Sequence, residues 1–276
     1  MSEQPKAPAP APASSAQPKV PAPASANPSE PKAAGLALID VHEYGGKKDG
    51  ERQAMNRRLF MQLLVLRAPD KPAGYARDLA EKLLEQRVPA VLYDDVNDPR
   101  SLGLLTWSED PAHFVTRVRS ALAEHKLQHL CLRPKFTMLG RTYATGHEPE
   151  LAWSLLERPI ENVTNEALEW AVWYPLRRTG AFSRLEPQEQ GAMLREHAQI
   201  GMAYGQADLA HDVRLACHGL DPHDNDFVIG LLGRALHPLS HCVQSMRKTV
   251  QTSQYIEKMG PFFVGRVAHR VRPPAA

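Results

Sequence analysis

Residues 169–205 read EWAVWYPLRRTGAFSRLEPQEQGAMLREHAQIGMAYG, and the change of period inside this stretch decides the fold. Glu169 to Arg178 form an apolar, aromatic-rich run of strand length. From Leu185 the pattern turns helical, with Pro187 near the start and Met193, His197 and Ile200 sharing one face. Downstream, DVRLACHG (212–219) and NDFVIGLLGR (225–234) read as two short strands, HPLSHCVQSMRKTV (237–250) as a helix and GPFFVGRV (260–267) as a closing strand. The order is β-α-β-β-α-β. It recurs upstream. RLFMQLLVLRA (58–68) is a strand, and GYARDLAEKLLEQR (74–87) is a helix with Tyr75, Leu79, Leu83 and Leu84 at helical spacing. VPAVLYDDV (88–96) and SLGLLTWS (101–108) are strands parted by Asn97, Asp98 and Pro99. DPAHFVTRVRSALAEH (110–125) is one helix capped by Asp110, and KFTMLGRTY (135–143) is a strand.

A duplicated split βαβ plan follows. The sequence predicts an α+β protein with a ferredoxin-like unit at 36–146, a helical connection at 147–168 and a second ferredoxin-like unit at 169–276. Each antiparallel sheet carries its helices on one face. The free faces are then available to pack together as a dimeric α+β barrel-like core, leaving room for a flat ligand between sheet and helices.

The first 35 residues stand apart. They hold nine prolines and ten alanines, with Val20 the only branched apolar side chain, and predict a disordered tail that cannot offset its ordering entropy. About 240 residues remain to fold, enough for large cores. Three cysteines, Cys131, Cys217 and Cys242, without CxxC spacing exclude a disulfide-stapled module and argue against a zinc ribbon. No apolar run is long enough to span a bilayer, and the N-terminus lacks a signal-peptide apolar region, so a cytoplasmic location is expected. A formal charge of +2 supplies no basic field for nucleic acid. Twelve histidines make ligation worth testing residue by residue.

Tyr174-Pro175-Leu176-Arg177-Arg178, then Met193-Leu194-Arg195-Glu196-His197, then Gly219-Leu220-Asp221, and finally Gly260-Pro261-Phe262-Phe263-Val264-Gly265 resemble the chlorite dismutase and coproheme decarboxylase family of heme proteins. The interval from Tyr174 to His197 carries most of the likeness. The resemblance implies heme b, or iron coproporphyrin, as cofactor, with His197 as axial iron ligand through one imidazole nitrogen while the other donates a hydrogen bond. Where the family has a glutamate to accept that bond, this chain offers Gln251, Thr252 or Gln254, and a neutral amide donates less electron density than a carboxylate. Tyr174 matches the radical-forming tyrosine of the decarboxylases and Arg178 a basic position near a heme propionate. Phe182 falls where the family has a heme-edge tryptophan, and Met193 shares the apolar face of His197. On the distal strand the family's arginine or glutamine is replaced by Ala210 or Asp212, according to the register chosen. Arg214, on the same strand face as Asp212, and His211 are the candidate replacements.

The resemblance implies an oxidoreductase acting on peroxide or chlorite. Coproheme decarboxylation in heme synthesis is the second expectation, and a non-enzymatic heme carrier, sensor or scaffold the third. A homo-oligomer, a pentameric ring in the family, is the expected assembly.

Overall fold

The structure, a computed structural model, describes residues 39–274. The tail expected at 1–35 lies outside the described residues. A hairpin of β1 (Glu43–Lys48) and β2 (Glu51–Met55) comes first. It is followed by β3 (Phe60–Arg67), α1 (Pro72–Glu85), β4 (Ala90–Asp95), β5 (Ser101–Ser108), α2 (Ala112–Val115), α3 (Arg117–Leu122), β6 (Cys131–Leu132) and β7 (Met138–Thr142). A π-helical turn (Trp153–Glu157) and α4 (Arg158–Thr164) lead to β8 (Trp170–Arg178), α5 (Gly180–Ser183), α6 (Pro187–Gln206), β9 (His211–Ala216) and β10 (Phe227–Gly233). The chain ends with α7 (Leu236–Met246), α8 (Val250–Tyr255), β11 (Ile256–Met259) and β12 (Phe263–Val271).

The strands lie in the order β7-β3-β5-β4 and, in the second half, β12-β8-β10-β9, all pairings antiparallel. Numbered within each half, both orders read 4-1-3-2, so the expected ferredoxin-like duplication is the observed fold. The two sheets also join edge to edge, β7 to β9 and β12 to β4, and with β10 on β8 they close into a barrel without free long edges.

Strand parity distributes the apolar residues. In β8, Ala171 and Trp173 point into the barrel with Met61, Leu63, Tyr93, Val213 and Phe263. Val172, Tyr174 and Leu176 point outward, under α6 and α7 with Leu239, Cys242 and Met246. The first half covers its outer face with Leu79 and Leu83 of α1 and Val118 and Ala121 of α3. Both faces of β8 are therefore buried, which explains its uninterrupted apolar run.

Three local features differ from the sequence expectation. The helix expected at 110–125 breaks at Thr116 (φ −113°, ψ −87°), where Thr116 Oγ1 donates to the Ala112 carbonyl at 2.8 Å and so competes with the helical ladder. Asp110 does cap its start, accepting the Ala112 N–H at 2.9 Å. The helix expected at 237–250 ends at Met246, and Thr249 caps a new one by accepting from the Thr252 N–H. The β1–β2 hairpin is additional, and its two turn residues, Asp49 (φ 53°) and Gly50 (φ 88°), both adopt the left-handed region that a two-residue hairpin turn needs.

That hairpin holds the chain leaving β7. Gly46 N–H donates to Glu148 O (2.9 Å), and Gln53 Nε2 donates to the carbonyls of Gly46, Glu148 and Pro149. The Glu43 carboxylate accepts from Arg141 Nη1 (2.7 Å) and from the Ala144 N–H (3.0 Å), which fixes the backbone on either side of Tyr143.

Candidate functional site

Helix α6 runs for 20 residues without one fully buried side chain. Its inner stripe, Met193, His197, Ile200 and Tyr204, is half-buried. Ile200 and Tyr204 reach the core under α7, where Tyr204 Oη lies 2.5 Å from His241 Nδ1 and 3.0 Å from Ser245 Oγ. The C-terminal half of α6 is thus pinned to α7, while Met193 and His197 stand over the sheet without joining a core cluster. The charges of Arg178 and Arg214 on the sheet act on the His197 ring, and the space between helix and sheet at this point is the candidate slot.

The sheet side of that slot follows from register. β7 pairs Arg141 with Ala216 and Thr142 with Leu215, and Tyr143, just past the end of the strand, lies near enough to Arg214 for its charge to act on the phenol. Arg214 pairs with Ile229, Ile229 with Tyr174, and Tyr174 stacks on Phe262 at 4.7 Å between ring centroids. One cross-strand row therefore reads Arg214, Ile229, Tyr174, on the face that α6 and α7 cover, with Phe262 stacked at its end. Beside it, Arg178 lies between two rings, 4.6 Å from Phe182 and 4.6 Å from Phe227. Phe227 in turn lies 5.5 Å from Tyr143.

Charge and solvent access distinguish this slot from a core. Asp212 and Arg214 keep 33% and 41% of their side chains accessible, yet burial is the largest influence on the ionisation of each. Burial pushes the Asp212 carboxyl up, but Arg214 and Arg158 overcome this and hold it below the usual carboxylate range. Arg214 Nε sits 3.0 Å from Asp212 Oδ2, Arg158 Nη2 donates to Asp212 Oδ1, and Asn162 Nδ2 donates to the Asp212 carbonyl. Arg158 was not foreseen from the sequence.

Burial, and then the positive charges of Arg178 and Arg214, depress the basicity of His197, so its imidazole is neutral near pH 7. Its Nδ1 is buried without a partner; Nε2 is neither buried nor bonded among the described residues. A neutral imidazole with Nδ1 carrying the proton and the Nε2 lone pair facing the slot is the form that ligates a metal. On the far side, Glu196 Oε2 accepts the Val250 N–H at 3.1 Å, which brings α8 against α6. The next residue on α8 is Gln251, whose Oε1 is also buried without a partner. Thr252 and Gln254 are less suited to receive His197 Nδ1: Thr252 Oγ1 is engaged with Thr249 and Gln254 is exposed. The donor set fits an iron porphyrin: one accessible imidazole nitrogen, two guanidinium groups that can meet anionic oxygens, and aromatic walls.

The chlorite dismutase family model matches residues 104–268, more than half of the chain. The chain belongs to this family. The chlorite dismutase of Candidatus Nitrospira defluvii in complex with imidazole is similar in fold, with 16% identity and a TM-score of 0.61 over 78% of this chain and 93% of that one. A protein from Thermus thermophilus, described as heme-binding, is similar at 16% identity and a TM-score of 0.59, over 77% of this chain and 92% of that one. No curated protein matches the chain at the level of sequence.

The structure brings Arg178 and Arg214 near enough to His197 to act on its ring and sets Phe182 against Arg178, with Met193 one helical turn from His197 and Tyr174 two strands from Arg214. It does not bring His211 there. His211 has the parity of Val213 and Leu215, which face the barrel interior, and its Nε2 lies 2.7 Å from Asp208 Oδ1. Tyr143, like Arg158, is a residue that sequence reading missed.

Because the folded Asp212 carboxyl is more acidic than in the unfolded chain, its ion pairs stabilise the protein above about pH 4 and fade as the pH falls through the lowered folded value. Asp212→Asn is expected to flatten the loss of melting temperature between pH 5 and about pH 2.5. Parallel melts of the two proteins across that window check it.

Proposed function

We propose that this protein binds heme in the slot between α6 and the sheet, with His197 Nε2 as axial ligand, and works as a heme-dependent oxidoreductase on peroxide or chlorite. The observation that carries the reading is His197 itself: enclosed, neutral, with an accessible Nε2 over a sheet face bearing Arg178 and Arg214. The family membership and the Thermus thermophilus relative described as heme-binding support it.

When bound, iron porphyrin supplies the redox chemistry. The chain's own residues bind and orient. His197 holds the metal from the helix side, and Gln251 Oε1 is the acceptor available to its Nδ1 proton. Arg178, clamped between Phe182 and Phe227, has little rotamer freedom and offers a fixed cation to a carboxylate. Arg214, oriented by Asp212, presents a second cation on the sheet side, where an anionic substrate would be drawn. Phe182 keeps the wall apolar and excludes water.

Coproheme decarboxylation is the second reading, favoured by Tyr174. Its ring is buried in the same cross-strand row as Arg214, and burial, with Cys242 and Asp212 nearby, keeps its phenol protonated. A redox-active tyrosine needs such shelter. We further propose a cytoplasmic homo-oligomer. Among the described residues, no helix is long and apolar enough to cross a membrane.

Visible titration of the purified protein with heme b and with iron coproporphyrin tests the proposal. A stoichiometric Soret shift with heme b, altered again by peroxide or chlorite, is the expected result. Preference for iron coproporphyrin and its conversion by peroxide would select the decarboxylase. No shift with either ligand would remove both readings and leave a scaffold.

A further inference from the structure

The start of α7 carries two histidines that the heme reading leaves unused. Leu236 opens the helix and Pro238 sits in its first turn, where a missing backbone N–H breaks no helical bond, so His237 and His241 are both helical and stand one turn apart on one face. Both are exposed, and their ring centroids lie 6.1 Å apart. His237 makes no hydrogen bond or ion pair among the described residues. His241 is tied through one nitrogen only. Its Nδ1 lies 2.5 Å from Tyr204 Oη, and that oxygen lies 3.0 Å from Ser245 Oγ, a further turn along the same face of α7. When Nδ1–H donates to the phenol oxygen and the phenol donates on to Ser245, the tautomer of His241 is set and its Nε2 lone pair is left for a ligand. Imidazoles that bind metals are oriented in this way, by a hydrogen bond from the nitrogen that does not ligate.

Two histidines four residues apart on a helix are the donor pair with which metal-binding helices grip a cation. The basic side chain just before them does not oppose it, because Arg234 Nε donates to Asp208 Oδ2 at 2.7 Å and its charge is already answered. No third histidine, cysteine or carboxylate joins the pair among the described residues, so a bound ion keeps water at its remaining positions. That sets it apart from a closed structural zinc site and makes the ion exchangeable.

We propose that His237 and His241 form a two-histidine chelate on the exposed face of α7 for a divalent transition-metal cation of the kind imidazole prefers, copper(II) or zinc(II), with Tyr204 as the positioning residue for His241. Tyr204 lies seven residues, about 10 Å along α6, beyond His197. The chelate is therefore a second site, and it does not rest on the heme reading.

Copper(II), the strongest binder of the series, is the probe. Purified full-length protein without added heme is titrated by calorimetry, and samples at one equivalent are read by electron paramagnetic resonance. Wild type is expected to bind one tight copper ion with the hyperfine pattern of two nitrogens. His237→Asn and His241→Asn should each lose that pattern and weaken binding by more than the roughly tenfold to hundredfold that removal of an outer partner costs. Tyr204→Phe should keep the two-nitrogen pattern and show that smaller loss. Melting of the metal-free variants confirms that each is folded. A copper ion held at His197 or elsewhere would give all four proteins the same affinity and spectrum, and that result would overturn the chelate, as would the absence of tight copper in wild type. A Tyr204→Phe protein that melts lower but binds copper as wild type does would make Tyr204 a packing residue and overturn its positioning role.

Discussion

His197→Leu is expected to abolish stoichiometric heme uptake and yet leave the heme-free protein at least as stable as wild type. The two halves of this result have separate causes. In the heme-free chain the His197 ring buries Nδ1 without a partner, a defect costing about 1–3 kcal/mol, and leucine replaces it with apolar surface on a face already carrying Met193 and Ile200. Burial and the charges of Arg178 and Arg214 also lower the folded pKa of the imidazole. A base more acidic in the folded state makes the protein lose stability as the pH falls below its unfolded value of about 6.5. His197→Leu removes that penalty, so its advantage in melting temperature should be larger at pH 5 than at pH 8. Heme uptake moves the other way, because neither alternative histidine on or just after β9 suits the slot: His211 has the opposite strand parity and His218 is paired with Asp226 at 3.2 Å. Soret titration and heme-free melts at the two pH values measure both halves. A variant that binds heme with an unchanged spectrum would remove His197 from the ligand role. One that binds no heme and melts far below wild type would make His197 a packing residue.

A site that is unfavourable to the empty fold and favourable to the loaded one shows in sequence only indirectly. The β-α-β-β-α-β order was legible twice over, because strands and helices differ in period and Pro187 and Asp110 punctuate the starts. His197 was legible as one position on an apolar helix face, and the interval from Tyr174 gave it meaning. Arg214 was found through two-residue alternation from Asp212. The same alternation excludes His211, since an odd step along β9 turns the side chain toward Val213 and Leu215. What sequence could not supply was the pairing between halves. Tyr143 and Arg214 are neighbours only because β7 joins β9 across the pseudo-two-fold barrel, a contact set by closure of the sheets rather than by local pattern. Arg158 is hidden for a related reason: it starts α4 directly after a π-helical turn, so no regular helical wheel predicts which face it presents. The β1–β2 hairpin is a different case, because Asp49-Gly50 is a legible turn signal flanked by short, polar strands with little apolar alternation.

Gly230→Ala is expected to destabilise the heme-free protein by about 3 kcal/mol, at the upper end for an added methyl in a packed core. In a strand interior glycine is ordinarily the weaker choice, so alanine would be expected to help. The barrel reverses the sign. Gly230 pairs with Trp173, and a Cβ built on it would lie 2.5 Å from Trp173 Cζ3 and 2.6 Å from Cη2. Trp173 is fully buried and wedged beside Phe263 in the next strand, so the indole has no free volume into which to retreat. The same device recurs in β5, where a Cβ on Gly103 would lie 2.5 Å from Phe263 Cζ. These glycines are holes shaped for two of the large rings of the interior, which lets a barrel of modest girth close around them. The cause is separable from backbone entropy by a double-mutant cycle with Trp173→Leu, which is itself destabilising through the lost ring but opens space above position 230. Denaturant unfolding of the four proteins should show Gly230→Ala costing at least about 1 kcal/mol less in the Trp173→Leu background than in wild type. Equal costs in both backgrounds would show that the indole does not resist the methyl group, and the steric account of Gly230 would fail.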